Sequence, residues 1–179
     1  FSYLLKEKCK KPGNNQSKNI VIALDMMPNI SIPLQMLLLA FLEKDNLSGY
    51  TIKIKPHQYL PKYACFEDRF TNFANCKFVS NNMSELLKDC SLLIVSNSSV
   101  VFESALLGIK TLYFIPEEPS LNCEHFIKES LFMAYEENFS EKFQEALQSS
   151  IYPEVNIEEY FSPPDYSVFL KYLKKNHNH

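Results

Sequence analysis

Only three of the 179 residues are glycine, at 13, 49 and 108, and none is tryptophan. The chain therefore has no Gly-x-Gly-x-x-Gly and no Walker A sequence. It has no His-Glu-x-x-His either, so dinucleotide oxidoreductase, P-loop and zinc-protease readings lose their main support. Charge of one sign is not in excess: the formal net charge is −3 with 22% charged residues. That balance argues against a general nucleic-acid binder, and no acidic tail is present. Five cysteines stand at 9, 65, 76, 90 and 123, an odd number with no Cys-x-x-Cys pair, which speaks against a zinc site and against a disulfide framework. They are expected to be reduced, mostly buried thiols in a cytoplasmic protein. The longest apolar stretches, 36–42 and 99–107, fall far short of the roughly 20 residues that cross a bilayer.

At this length, and with 46% hydrophobic residues, one domain with its own core is expected. Residues 1–18 collect Lys, Pro, Gly, Asn and Ser and are read as a linker or the remnant of a preceding domain. No signal-peptide pattern is read at the start. A chain opening on Phe1 is expected to be a piece of a longer protein, inactive alone. Residues 19–179 form the domain, closed by a final helix over 166–174.

Within it, the apolar run 19–24 predicts a buried strand. Pro28, Asn29, Ser31 and Pro33 break the chain, and 34–44 predicts a helix packed on a sheet. Residues 50–54 alternate as a strand, 67–73 are compatible with a helix, 77–79 predict a short strand, and 82–88 a short helix with Asn or Ser as its cap. The clearest unit follows. Ser91–Val95 is apolar and of strand length, Ser96-Asn97-Ser98-Ser99 is a polar turn, Val100–Leu107 is helical, Gly108 stands at the C′ position, and 111–115 is the next strand. Strand, turn, helix, glycine and strand make a βαβ unit with parallel strands. A strand over 131–135 and a helix over 140–148 continue the alternation. The fold class is α/β: a Rossmann-like parallel sheet with helices on both faces.

Ligands of open parallel sheets bind beyond the carboxyl ends of the strands, so the turns after the strands hold the candidate residues. In the turn after the fourth strand, Asn97, Ser98 and Ser99 set hydroxyl, amide and backbone N–H groups at a helix start, where phosphate is favoured, although Ser and Asn commonly do no more than cap. Glu103, one helical turn past Ser99, lies on the same face, where it would accept from ribose hydroxyls; its apolar neighbours make an unpartnered carboxylate costly. His57 follows the second strand among Lys53, Lys55 and Lys62, a basic turn that a diphosphate would neutralise, against the plainer reading of a surface histidine with solvated lysines. Asp25, after the first strand, reads equally as a ligand or a turn former. His125 and Glu124 read equally well as a helix start.

Two stretches, Lys53-Ile-Lys-Pro-His57 and Ser91-Leu-Leu-Ile-Val-Ser-Asn-Ser-Ser-Val-Val-Phe-Glu-Ser-Ala-Leu-Leu-Gly108, together resemble the C-terminal donor-binding domain of GT-B-fold glycosyltransferases. The likeness is to bacterial surface-carbohydrate enzymes: capsule and sialic-acid transferases with an HP motif and a paired-serine motif, and CDP-glycerol glycerophosphotransferases. It spans roughly residues 19–150. Gln58 stands where these families usually have proline, and Met-Met-Pro-Asn-Ile-Ser replaces the glycine-rich loop after the first strand. The resemblance implies one half of a GT-B fold that binds a nucleotide-linked sugar donor as a substrate, CMP- or CDP-linked, without a metal or other cofactor. It places His57 on the donor phosphate, Ser98 and Ser99 on phosphate or ribose, and Glu103 on the ribose; Lys55 and Asn97, in the same two turns, complete the expected donor-binding set. It implies a preceding acceptor domain that supplies the general base, so no catalytic residue is named here. Peripheral membrane association of the full-length protein is also implied, and no nucleic-acid partner. Two other readings stand beside it, a UDP-sugar 2-epimerase-like domain and a non-catalytic assembly module of a carbohydrate-synthesis complex.

Overall fold

The computed structural model describes residues 17–45, 47–117, 131–150 and 152. The first apolar run forms β1 (Asn19–Ala23), with Ile20, Val21 and Ile22 wholly buried. Consecutive residues of a strand point to opposite faces, so three buried neighbours require cover on both sides. The sheet supplies it. Its strands are β1, β2 (Thr51–Lys55), β3 (Cys76–Phe78), β4 (Cys90–Val95), β5 (Lys110–Phe114) and β6 (Leu131–Ala134), in the order β3-β2-β1-β4-β5-β6. Every neighbouring pair is parallel.

Among the described residues, five helices cover the two faces: α1 (Pro28–Lys44), α2 (Glu67–Phe70), α3 (Met83–Lys88), α4 (Val100–Leu106) and α5 (Phe139–Gln148). Even-numbered strand residues such as Ile20, Ile54, Ile94 and Phe114 join one core with Leu34 and Leu38 of α1, Phe70 of α2 and Phe143 of α5. Odd-numbered ones such as Val21, Leu93, Val95 and Tyr113 join a second core with Leu86 and Leu87 of α3 and Val101 and Ala105 of α4. The α/β fold with helices on both faces is as expected, and β4, α4 and β5 form the expected parallel βαβ unit.

Two helix boundaries differ from the expected ones by more than a single residue. Helix α1 begins at Pro28 rather than at Leu34, because a proline at the first helical position gives up only an N–H that would be orphaned there. Pro33, inside the helix, removes the bond to the Asn29 carbonyl, and Asn29 is exposed to solvent that takes its place. Helix α2 ends at Phe70, three residues early, where the Thr71 hydroxyl donates to the Asp68 carbonyl at 2.6 Å and competes with helix continuation. Residue Asn82 precedes α3 as anticipated but makes no side-chain cap bond. Residues 1–16 of the linker, the 166–174 helix, Cys9, Cys123, Glu124 and His125 lie outside the described residues.

Candidate functional site at the carboxyl edge of the sheet

Ala23 pairs with Lys55 on one side and with Val95 on the other, so β2, β1 and β4 end level. Asp25, His57 and Asn97 each stand two residues beyond that row. The chain runs outward from β1 to β2 and β3, then returns to β4 on the opposite side of β1. The strand order therefore reverses between β1 and β4, and their connections must part there, leaving the crevice in which such sheets bind ligands. With strands about 4.8 Å apart, Lys55 and Val95, from which the His57 and Asn97 turns start, lie about 10 Å from each other across β1.

The turn after β4 bends sharply at Asn97, whose φ of 45 is left-handed, a conformation that Asn tolerates better than most residues. The Val100 N–H donates to Ser98 Oγ at 3.4 Å, so Ser98 shares in starting α4. Ser99 occupies the cap position itself, yet its hydroxyl makes no capping bond and the residue is exposed. Capping thus accounts for Ser98 and leaves Ser99 turned outward.

The turn after β2 presents His57 to solvent. Its Nδ1 accepts the Tyr59 N–H at 3.2 Å, and its ring lies 5.6 Å from that of Tyr59. A neutral imidazole accepting at Nδ1 carries its proton on Nε2, the nitrogen that is left to donate to a ligand. The Leu60 N–H donates to the His57 carbonyl at 2.9 Å, and buried Leu60 and Ala64 anchor the segment in the α1-side core. The exposed aromatics Tyr59 and Tyr63 stand outside it.

Lys55 ends β2 half-buried, its carbonyl accepting the Leu24 N–H at 3.0 Å. By alternation with Ile54, its side chain belongs to the α3–α4 side. Glu103 lies on that side too, but not where its neighbours in sequence implied. The buried residues of α4 are Val101, Ser104, Ala105 and Leu106, and Glu103 is not among them but half-exposed, so the cost of an unpartnered buried carboxylate does not arise. The candidates therefore share one edge of the sheet: Lys55 and Glu103 lie on its α3–α4 side, while the His57 segment is anchored on the α1 side.

Asp25 is a turn former here: it is buried, and its Oδ1 accepts the Met27 N–H at 2.8 Å. Three further polar residues at this edge, two of them in turns already noted, were not among the candidate site residues. Ser96, fully buried at the end of β4, has no hydrogen-bond partner for its Oγ among the described residues. Ser31 Oγ donates to the Asp25 carbonyl at 2.8 Å, and Gln35 reaches the loop that follows His57. The one available signal was the i, i+4 spacing of two polar side chains on the apolar stripe of α1. Cys65, Cys76 and Cys90 are free thiols, and each is partly rather than wholly buried.

No protein-family model and no curated protein matches this chain. Among solved structures, TarM matches with a TM-score of 0.54 at 14% identity, over 74% of this chain and 28% of that one. WaaG, described as a glycosyltransferase involved in lipopolysaccharide biosynthesis, matches with a TM-score of 0.54 at 17% identity, over 83% of this chain and 42% of that one. The chain thus spans well under half the length of either protein. The fold they share is the α/β, Rossmann-like fold of GT-B glycosyltransferases, and the six parallel strands described above are that fold.

Proposed function

We propose that this chain is the donor-binding half of a GT-B glycosyltransferase of bacterial surface-polysaccharide synthesis, holding a nucleotide-linked sugar, CMP- or CDP-linked, for an acceptor domain elsewhere in the protein. The observation that carries the reading is the level row Ala23, Lys55 and Val95, which sets the His57 turn and the 97–99 turn on either side of β1 at the point where strand order reverses. In this reading His57 Nε2 and Lys55 meet the diphosphate. Ser99, with Asn97 and Ser98, holds phosphate or ribose, and Glu103 accepts from the ribose hydroxyls. The full-length protein works at the cytoplasmic membrane surface. No helix among the described residues is long and apolar enough to cross a membrane.

The test is calorimetric titration of the chain with CMP, CDP, UDP and GDP, beside His57→Ala and Glu103→Ala. Saturable binding of a cytidine nucleotide, weakened about tenfold by each substitution, is expected if each removes a charge-assisted hydrogen bond. A preference for UDP favours an epimerase-like domain instead. No binding by the folded chain overturns a self-sufficient donor site and leaves either a site completed by the missing domain or an assembly module.

A further inference from the structure

The segment 57–66 carries His57 but borrows its position from α1. Gln35 is fully buried, and both ends of its amide are engaged. Its Nε2 donates to the Ala64 carbonyl at 2.7 Å and to the Ser31 carbonyl at 2.9 Å, and its Oε1 accepts the Phe66 N–H at 2.9 Å. Acceptor and donor are each met by the matching backbone group, so the amide holds one orientation. One turn earlier on the same helix face, Ser31 Oγ ties the helix to the Asp25 carbonyl in the β1 turn. A Ser-x-x-x-Gln pair thus binds two loops of the carboxyl edge to one rigid helix. From Gln35 the constraint runs back to His57 through successive turns, Cys65 N–H to the Lys62 carbonyl, Ala64 N–H to the Pro61 carbonyl and Leu60 N–H to the His57 carbonyl, at 3.1, 2.9 and 2.9 Å.

We infer that Gln35 is a positioning residue, which fixes the place of the His57 imidazole at the sheet edge while itself beyond the reach of any ligand. As a statement about ligand affinity it rests on the donor-site reading; as a statement about the loop it does not. A polar side chain that merely satisfied itself would need no partner outside its helix. Gln35 reaches two backbone groups of the loop, 29 and 31 residues away, that would otherwise need another partner.

The experiment compares Gln35→Met, which keeps the volume and strands the Phe66 N–H and the Ala64 carbonyl, with Leu38→Ala, a buried residue of the same helix that makes only apolar contacts. Amide exchange over 57–66 and the His57 imidazole resonances are followed by NMR. Gln35→Met is expected to speed exchange of that segment about tenfold, the effect of one net hydrogen bond, and to move the His57 resonances. Leu38→Ala is expected to lower global stability and leave those resonances in place. Equal disturbance of His57 by both variants, or by neither, overturns the inference. Should Gln35→Met fail to fold, Gln35→Glu serves, since it keeps the acceptor for Phe66 and loses the donor to Ala64; an unmoved His57 resonance then overturns it. Where the wild-type chain binds CMP or CDP, Gln35→Met weakens binding and adds little to His57→Ala. Where it binds neither, the self-sufficient donor site falls and the exchange data still decide the role of Gln35.

Discussion

Gly108 follows α4 with φ +66, and two bonds close the helix around it: Gly108 N–H to the Ala105 carbonyl at 3.0 Å and Ile109 N–H to the Ser104 carbonyl at 2.9 Å. This pair is the Schellman ending, and it needs a residue that adopts the left-handed conformation without strain. A Cβ added there would meet nothing within 4 Å, so a substitution would suffer the backbone penalty alone. Gly108→Ala is expected to lower the unfolding free energy by about 1–2 kcal/mol, read from a shifted urea midpoint at unchanged slope. This residue was legible in the sequence because a glycine directly after an apolar helical run marks the left-handed residue that ends a helix. Asn97 was legible only as a polar turn residue. Its left-handed backbone depends on how β4 hands over to α4, and Asn enters that conformation without being required to.

At the scale of elements, α5 is held by a strand residue that the sequence reading left outside the sheet. Lys110 is the first residue of β5, only 7% exposed, and its Nζ donates to the carbonyls of Ala146 and Ser149 at 2.9 Å and of Leu147 at 3.4 Å. These are the orphan acceptors at the negative end of α5, and the ammonium also sits 5.6 Å from the Tyr152 ring centroid. Burial pulls the Lys110 pKa below the ordinary lysine value. Lys110→Met is expected to cost about 2–3 kcal/mol, because it removes charge-assisted bonds and leaves buried carbonyls without them. Chemical denaturation measures the loss, and amide exchange should quicken chiefly over 139–149. The elements read correctly, β1, β4 and α4 above all, are those whose apolar period was uninterrupted. The start of α1 was hidden because Pro28 and Pro33 read as breakers, although the first helical position accepts Pro28 and the Asn29 carbonyl that Pro33 leaves without a bond is exposed. Gln35 and Lys110 were hidden because a polar side chain inside an apolar pattern owes its place to partners far along the chain, which spacing does not reveal. The edge carrying His57 and 97–99 was legible, since in a parallel sheet all carboxyl ends face one way.

For the molecule as a whole, two thiols make stability sensitive to alkali. Burial pushes the Cys76 thiol up to about 11 and the Cys90 thiol up to about 12, from an ordinary value of 9.0; backbone hydrogen bonds and the Lys53 charge oppose the shift at Cys90 without cancelling it. Both acids are therefore weaker in the folded chain than in the unfolded one. Below pH 9.0 both states hold the protons and the folded state has its full stability. As pH rises above that value the unfolded chain ionises first and stability falls. Denaturation at pH 7 and at about pH 10 should show the loss, and a Cys76→Ala, Cys90→Ala double variant should lose less. An equal loss in the double variant would assign the effect to other groups.

The place of β1 has one more consequence. It comes first in chain order among the six strands of the sheet, yet it lies inside that sheet, and its partner on one side, β4, begins only at Cys90. While the chain leaves the ribosome, β1 can gain β2 early, but its other edge stays open until the residues through Val95 have emerged. A nascent chain stalled before β4 thus presents the unpaired N–H and C=O groups of a strand whose side chains from Ile20 to Ala23 are all apolar, and the span between β2 and β4 is the interval in which it is most open to mispairing.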